Sequence, residues 1–161
     1  MKNIIKEYLP YAIIIVVVVL IRTFLITPAR VSGDSMDDTL INKEIVLVNK
    51  IYLTTSEIKR YDIVVVKYND EYLIKRVIGL PNERIEYYEN KLYVNDIEKT
   101  DMKFESTEDF HFVTKADEYF VMGDNRDVSK DSRYFGAVKK EDITGMVNFI
   151  IYPFDKFGVI D

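Results

Sequence analysis

Hydrophobic and polar positions alternate in two different ways along this chain. Near the N-terminus they do not alternate at all: Tyr11 to Ile21 (YAIIIVVVVLI) is eleven apolar residues in a row. Extended from Tyr8 to Ile26 the run reaches 19 residues, broken only by Pro10, Arg22 and Thr23. As a helix that length covers about 28 Å, close to a bilayer core of about 30 Å. Arg22 lies one turn from the end, where its stem can snorkel, and Tyr8 and Tyr11 suit the opposite interface. A cleaved signal peptide would need a small-x-small site, and the one candidate, Thr27-Pro28-Ala29, carries a proline in its middle. A buried core helix fits less well, because Val16 to Val19 is apolar all the way round. The expectation is a retained transmembrane anchor over residues 8–27, preceded by a cytoplasmic tail of residues 1–7.

After Pro28 the pattern changes to short β-branched runs. Strands are predicted at Glu44 to Asn49, Asp62 to Tyr68, Tyr72 to Gly79, Tyr119 to Met122 and Met146 to Tyr152. Arg84 to Tyr88 and Lys91 to Val94 flank Glu89-Asn90, as in a hairpin. The segment Asp62 to Tyr68 is apolar on both faces and is expected to be buried. Residues 96–117 are polar and acidic and read as a variable surface excursion. No segment beyond residue 30 holds a helical period over three turns. The expected fold is mainly β: an antiparallel β-barrel or sandwich spanning residues 28–161, carried on one N-terminal transmembrane helix.

Composition narrows the chemistry. The 161 residues carry a net charge of -5, which disfavours nucleic acid as a partner. The charge is also uneven. Residues 1–27 hold three basic and one acidic group, and the rest hold 19 basic and 26 acidic groups. With Lys2 and Lys6 ahead of the apolar run, the N-terminus is expected inside the cell membrane and the folded domain outside, in a single-pass arrangement. There is no cysteine, so disulfides and thiol nucleophiles are excluded. The single histidine, His111, lies in the polar excursion and reads as a surface residue, so neither a His-rich metal site nor an ordinary Ser-His-Asp triad is expected.

Three segments are unlike strand or turn filler: Ser32-Gly33-Asp34-Ser35-Met36, Lys75 within YLIKRVIGLP, and the long loop Gly123 to Arg133. In a strand, Leu73, Lys75 and Val77 share one face. If that face is buried, desolvation lowers the ammonium pKa. A fall from about 10.4 to near 8 corresponds to roughly 3 kcal/mol, and such a lysine can take a proton from a hydroxyl. The bland alternative is a solvated edge-strand lysine. Ser35 is a loop serine, but only seven residues separate it from Pro28. It therefore lies within about 25 Å of the bilayer even in a fully extended chain.

Taken together, SGDSMDDTL, RYDIVVV, YLIKRVIGLP and GDNRDVSKDSRYFG, in that order after an anchor, resemble the bacterial type I signal peptidases. The short single-anchor form is similar to the Gram-positive branch. The resemblance covers residues 8 to about 95 and 119 to about 147. It implies a membrane-anchored serine endopeptidase with Ser35 as nucleophile and Lys75 as general base, cutting signal peptides from exported preproteins after small residues. It also implies that Ser129 orients the lysine, that Asp131 and Arg133 hold their loop by a salt bridge, and that Arg76 and Asp124 form a second structural pair. Val31, Leu40 and Ile74 fall where the family lines its shallow pockets. The oxyanion donor implied is the Ser35 backbone N–H, with Ser32 as a candidate second donor. No cofactor and no metal are implied. The implied partners are signal peptides, the lipid bilayer and the secretion translocon.

Departures from the family pattern are Asp38 for Pro, Tyr61 for Gly, Asn82-Glu83 for Gly-Asp, and Gly33 where some members place an oxyanion-donating serine. Loss of such a donor typically costs about 2.7–4 kcal/mol. Two other functions compete. A non-catalytic relative would bind preproteins or a secretion complex without cutting. A self-cleaving Ser-Lys repressor would need a DNA-binding domain in place of the apolar span.

Overall fold

The computed structural model describes residues 2–20, 25–100 and 107–160. Helix α1 runs Lys2–Leu20, with Pro10 inside it. Every side chain from Tyr8 to Leu20 is exposed. Among the described residues, no helix is long and apolar enough to cross a membrane. The expected span of residues 8–27 is divided: 8–20 are helical, 21–24 lie outside the described residues, and strand β1 (Ile26–Arg30) takes in Ile26 and Thr27.

The remaining strands are β2 (Ile45–Asn49), β3 (Ile63–Tyr68), β4 (Glu71–Gly79), β5 (Arg84–Tyr88), β6 (Lys91–Val94), β7 (Ile97–Lys99), β8 (Phe110–Val113), β9 (Glu118–Met122), β10 (Val138–Lys139), β11 (Ile143–Tyr152) and β12 (Gly158–Val159). Two one-turn helices, α2 (Tyr52–Thr55) and α3 (Ser132–Phe135), complete the set with a few 3-10 turns. The large sheet has the order β1-β2-β11-β3-β4-β9-β10, with β12 also pairing β11. Its neighbouring strands pair antiparallel. The small sheet has the order β7-β6-β5-β8.

Why the large sheet folds as it does can be read from β3. Ile63 and Val65 enter one apolar cluster with Val31, Met36, Leu40, Val46, Val48, Val147 and Ile150. Val64 and Val66 enter another, on the opposite face, with Ile58, Val77, Tyr119, Val121, Val138 and Ile143. A strand covered on both faces cannot alternate polar with apolar residues, which accounts for the unbroken run. A third cluster joins the sheets: Ile85, Tyr87, Leu92 and Val94 pack on Ile78, Phe120 and Met122.

The arrangement is two open sheets and not a closed barrel. β1 and β10 end the strand path and do not pair with each other, so the expected closure does not occur. β10 is only two residues long and pairs with β9 alone, which is too little to carry a ladder back to β1. The expected excursion over residues 96–117 is also partly ordered pairing. β7 extends the β5–β6 hairpin on one side and β8 on the other. His111 is exposed on β8, opposite Glu86.

Candidate active site

β4 is the strand that assembles the site. It pairs with β3 along Glu71 to Arg76, but β9 joins its other edge only from Arg76 to Gly79. The stretch before Arg76 therefore has β3 on one edge and no β9 on the other. The segment following β1 comes against it there. That segment is a compact turn: Asp37 N–H donates to Asp34 O at 3.1 Å, and Leu40 N–H to Met36 O at 2.7 Å. Met36, 1% exposed, seats the turn in the core, so Ser35 just before it is held in place.

Lys75 Nζ donates a hydrogen bond to Ser35 Oγ at 2.7 Å. The amine is 2% exposed. Burial lowers the Lys75 pKa from 10.5 to about 8, partly opposed by the negative charges of Asp131 and Asp124 and assisted by Arg133. A neutral amine at hydrogen-bonding distance from a hydroxyl is what proton abstraction from that hydroxyl requires.

The loop after β9 closes over this pair. Gly123 N–H donates to Asp131 Oδ2 at 3.0 Å, and Asn125 N–H donates to Ser35 O at 3.2 Å. Gly123 permits the approach, because a Cβ on it would lie 2.3 Å from both Ser35 O and Ser129 Oγ. Asp131 is fully buried and meets Arg133 through two bonds, Nε to Oδ1 at 2.9 Å and Nη2 to Oδ2 at 3.0 Å. Arg133 Nη2 also donates to the carbonyl oxygens of Arg126 and Ser129. Arg76 and Asp124 form a second two-pronged pair, Nε to Oδ1 at 2.8 Å and Nη2 to Oδ2 at 2.6 Å. Both pairs match the associations expected from sequence. The hydrogen bond expected between Ser129 and Lys75 is not present: Ser129 Oγ is buried without a partner. The close packing of Ser129 against Gly123 accounts for its position.

A cleft of about 130 Å³ opens beside the pair, lined by Ala29 to Gly33, Ser35, Met36, Val65 and Tyr72 to Lys75. Of the expected pocket residues, Val31 and Ile74 lie in it. Leu40 does not. It is fully buried in the cluster with Val31 and Met36, five residues beyond Ser35. Ser32 is exposed and lines the cleft with Gly33. Sequence reasoning missed Ala29, Met36, Tyr72 and Leu73. The available signal was adjacency for Met36, which follows Ser35, and for Leu73, which precedes Ile74. Among the described residues, no cluster of His, Cys, Asp or Glu could hold a metal ion.

The backbone explains the departures noted in the sequence. Tyr61 and Asn82 both take positive φ, 73° and 61°, which is where glycine is favoured. Asp38 has φ 72°, out of reach of a proline ring.

The site thus joins a buried amine to a serine hydroxyl beside a narrow cleft, with two buried ion pairs next to it. The family model for "Signal peptidase, peptidase S26" matches residues 3–152, and the chain belongs to that peptidase family. It is 38% identical over 171 residues to Signal peptidase I S of Bacillus subtilis (strain 168), covering 96% of this chain and 92% of that protein. It is 33% identical over 180 residues to Signal peptidase IB of Staphylococcus aureus (strain COL), covering 97% and 93%. Among solved structures it is similar to a signal peptidase I from Enterococcus faecalis V583, with TM-score 0.50 and 32% identity, over 56% of this chain and 97% of that one.

Proposed function

We propose that this chain is a membrane-anchored endopeptidase that removes signal peptides from exported preproteins through a Ser35–Lys75 dyad. The observation that carries the reading is the 2.7 Å contact between Ser35 Oγ and a buried amine whose pKa is lowered to about 8. The neutral Lys75 takes the Ser35 proton as Oγ attacks the scissile carbonyl. The Ser35 backbone N–H, aided by Ser32, stabilises the oxyanion. Lys75 then returns the proton to the leaving amine, and the mature protein departs. Water activated by Lys75 releases the signal peptide from the acyl-enzyme. Val31 and Ile74 wall the cleft, whose small volume supports a preference for small side chains of the Ala-x-Ala type.

The unbroken exposure of Tyr8 to Leu20 supports an anchor continuing through the apolar residues that follow, with the N-terminus cytoplasmic. A signal peptide held in the bilayer would then present its cleavage site close to Ser35. Ser129 is proposed to act by fixing the loop over Lys75, through the contact with Gly123.

The test uses the full chain in detergent with a preprotein carrying an Ala-x-Ala site. Ser35→Ala, Lys75→Ala and Lys75→Arg are each expected to abolish turnover, the last because guanidinium does not give up its proton. Full turnover by Ser35→Ala or Lys75→Ala would refute the dyad. Binding of the preprotein without cleavage by the unmodified chain would favour a non-catalytic role.

A further inference from the structure

Thr39 sits four residues beyond Ser35 and is not part of the cleft lining. Its Oγ1 donates to Asp124 Oδ2 at 2.7 Å and accepts from Arg76 Nη2 at 3.1 Å. Arg76 follows Lys75 on β4, so the two side chains leave opposite faces of the strand. The segment Ser35 to Thr39 therefore grips β4 from both sides: Ser35 meets Lys75 on one face, and Thr39 meets Arg76 on the other. Asp124 brings in the third element. Its neighbour Asn125 donates its N–H to the carbonyl of Ser35 itself. Three stretches distant in sequence thus converge on one hydroxyl.

We propose that Thr39 is a positioning residue of the dyad: its hydroxyl locks the Ser35 segment to the strand bearing Lys75 and sets the separation of the two reacting atoms. The inference rests on Ser35 and Lys75 being nucleophile and base. It uses a property of threonine that valine lacks. The hydroxyl donates to the carboxylate and accepts from the guanidinium at once, so it completes a closed ring with the Arg76–Asp124 pair. Valine keeps the shape but leaves both partners facing a methyl group. The ring then opens on the nucleophile's side, while the Arg76–Asp124 bonds remain.

The experiment compares the full chain in detergent with Thr39→Val, Thr39→Ser and Ser35→Ala on the same preprotein, below the melting midpoint of every variant. Thr39→Val is expected to lower kcat by about 10- to 100-fold, as a small misplacement of reacting groups does. KM should stay within about twofold, because the cleft walls are untouched. Thr39→Ser restores the hydroxyl and should recover kcat to within about threefold of the parent. The rising limb of the pH profile should stay near pH 8 in the valine variant, since the burial of Lys75 is unchanged. If Thr39→Val fails to fold, Thr39→Ala takes its place. Parental kcat in the variant lacking the hydroxyl overturns the inference, and so does equal loss in the serine variant. Activity retained by Ser35→Ala instead removes the dyad on which it rests.

Discussion

Lys75 concentrates the energetics of this protein in one side chain. Its folded-state pKa of about 8 lies below the ordinary 10.5. Between those values the unfolded chain binds more protons than the folded one, so stability rises as pH increases through that window. Below pH 8 the buried charge costs roughly 3 kcal/mol. Lys75→Met is therefore expected to melt at a higher temperature than the parent near pH 7, with the gap closing as pH approaches 10.5; thermal melts across pH 6 to about 10.5 check it. The general-base role proposed for Lys75 carries a second expectation. kcat/KM is expected to rise through an apparent pKa near 8 and then level, read from a pH–rate series. Leu40 and Ile74 separate packing from specificity at the same scale. Leu40→Ala should cost about 2–5 kcal/mol in urea unfolding without changing which cleavage sites are accepted. Ile74→Ala should admit a larger side chain at the cleavage site with a smaller loss of stability, measured by competition between preproteins.

The elements act through where their pairing stops. β9 pairs with β4 only from Arg76 to Gly79; before Arg76 the Ser35 segment meets the strand at Lys75, and the Gly123–Arg133 loop meets that segment through Asn125 N–H. The loop's rigidity depends on Asp131, whose two oxygens bind Gly123 N–H, Arg133 N–H and the Arg133 guanidinium. Removing a fully buried partner leaves an uncompensated guanidinium. Asp131→Ala is expected to cost about 3–5 kcal/mol and to abolish turnover together, by denaturant titration and activity assay. This loop was recognisable as a motif, and the resemblance implied both of its ion pairs, Asp131 with Arg133 inside the loop and Asp124 with Arg76 of β4. The Ser129 position was not anticipated. Its hydroxyl is directed by the approach of Gly123 to Ser35 O, a distance set by the fold and not by neighbouring residues.

At the scale of the molecule, the two sheets leave one end open beside β1, and α1 precedes that strand directly in sequence. An enzyme anchored as proposed would work on substrates confined to the same bilayer, so that attachment would matter more than affinity. The full chain is expected to float with lipid vesicles in a density gradient, and a version lacking residues 1–24 to remain in the soluble fraction. Loss of the second behaviour would show that the β domain itself carries the membrane contact.

Sequence alone determined seven strands, β2 to β6, β9 and β11, because β-branched runs and a Glu89-Asn90 turn are local properties of the chain, but not β1, β7, β8, β10 or β12. The candidate reacting pair came from the resemblance of the chain's motifs to the signal peptidases, because the strand pattern by itself left Lys75 open to a solvated-edge reading. Sequence could not determine whether the large sheet closes, or that Leu40 belongs to the core and Thr39 to the lock on β4. Those depend on which strand edge ends where, and on contacts between residues 37 to 85 positions apart. Only the packed structure brings such groups within hydrogen-bonding range, and only there does burial remove the water that would otherwise keep Lys75 charged.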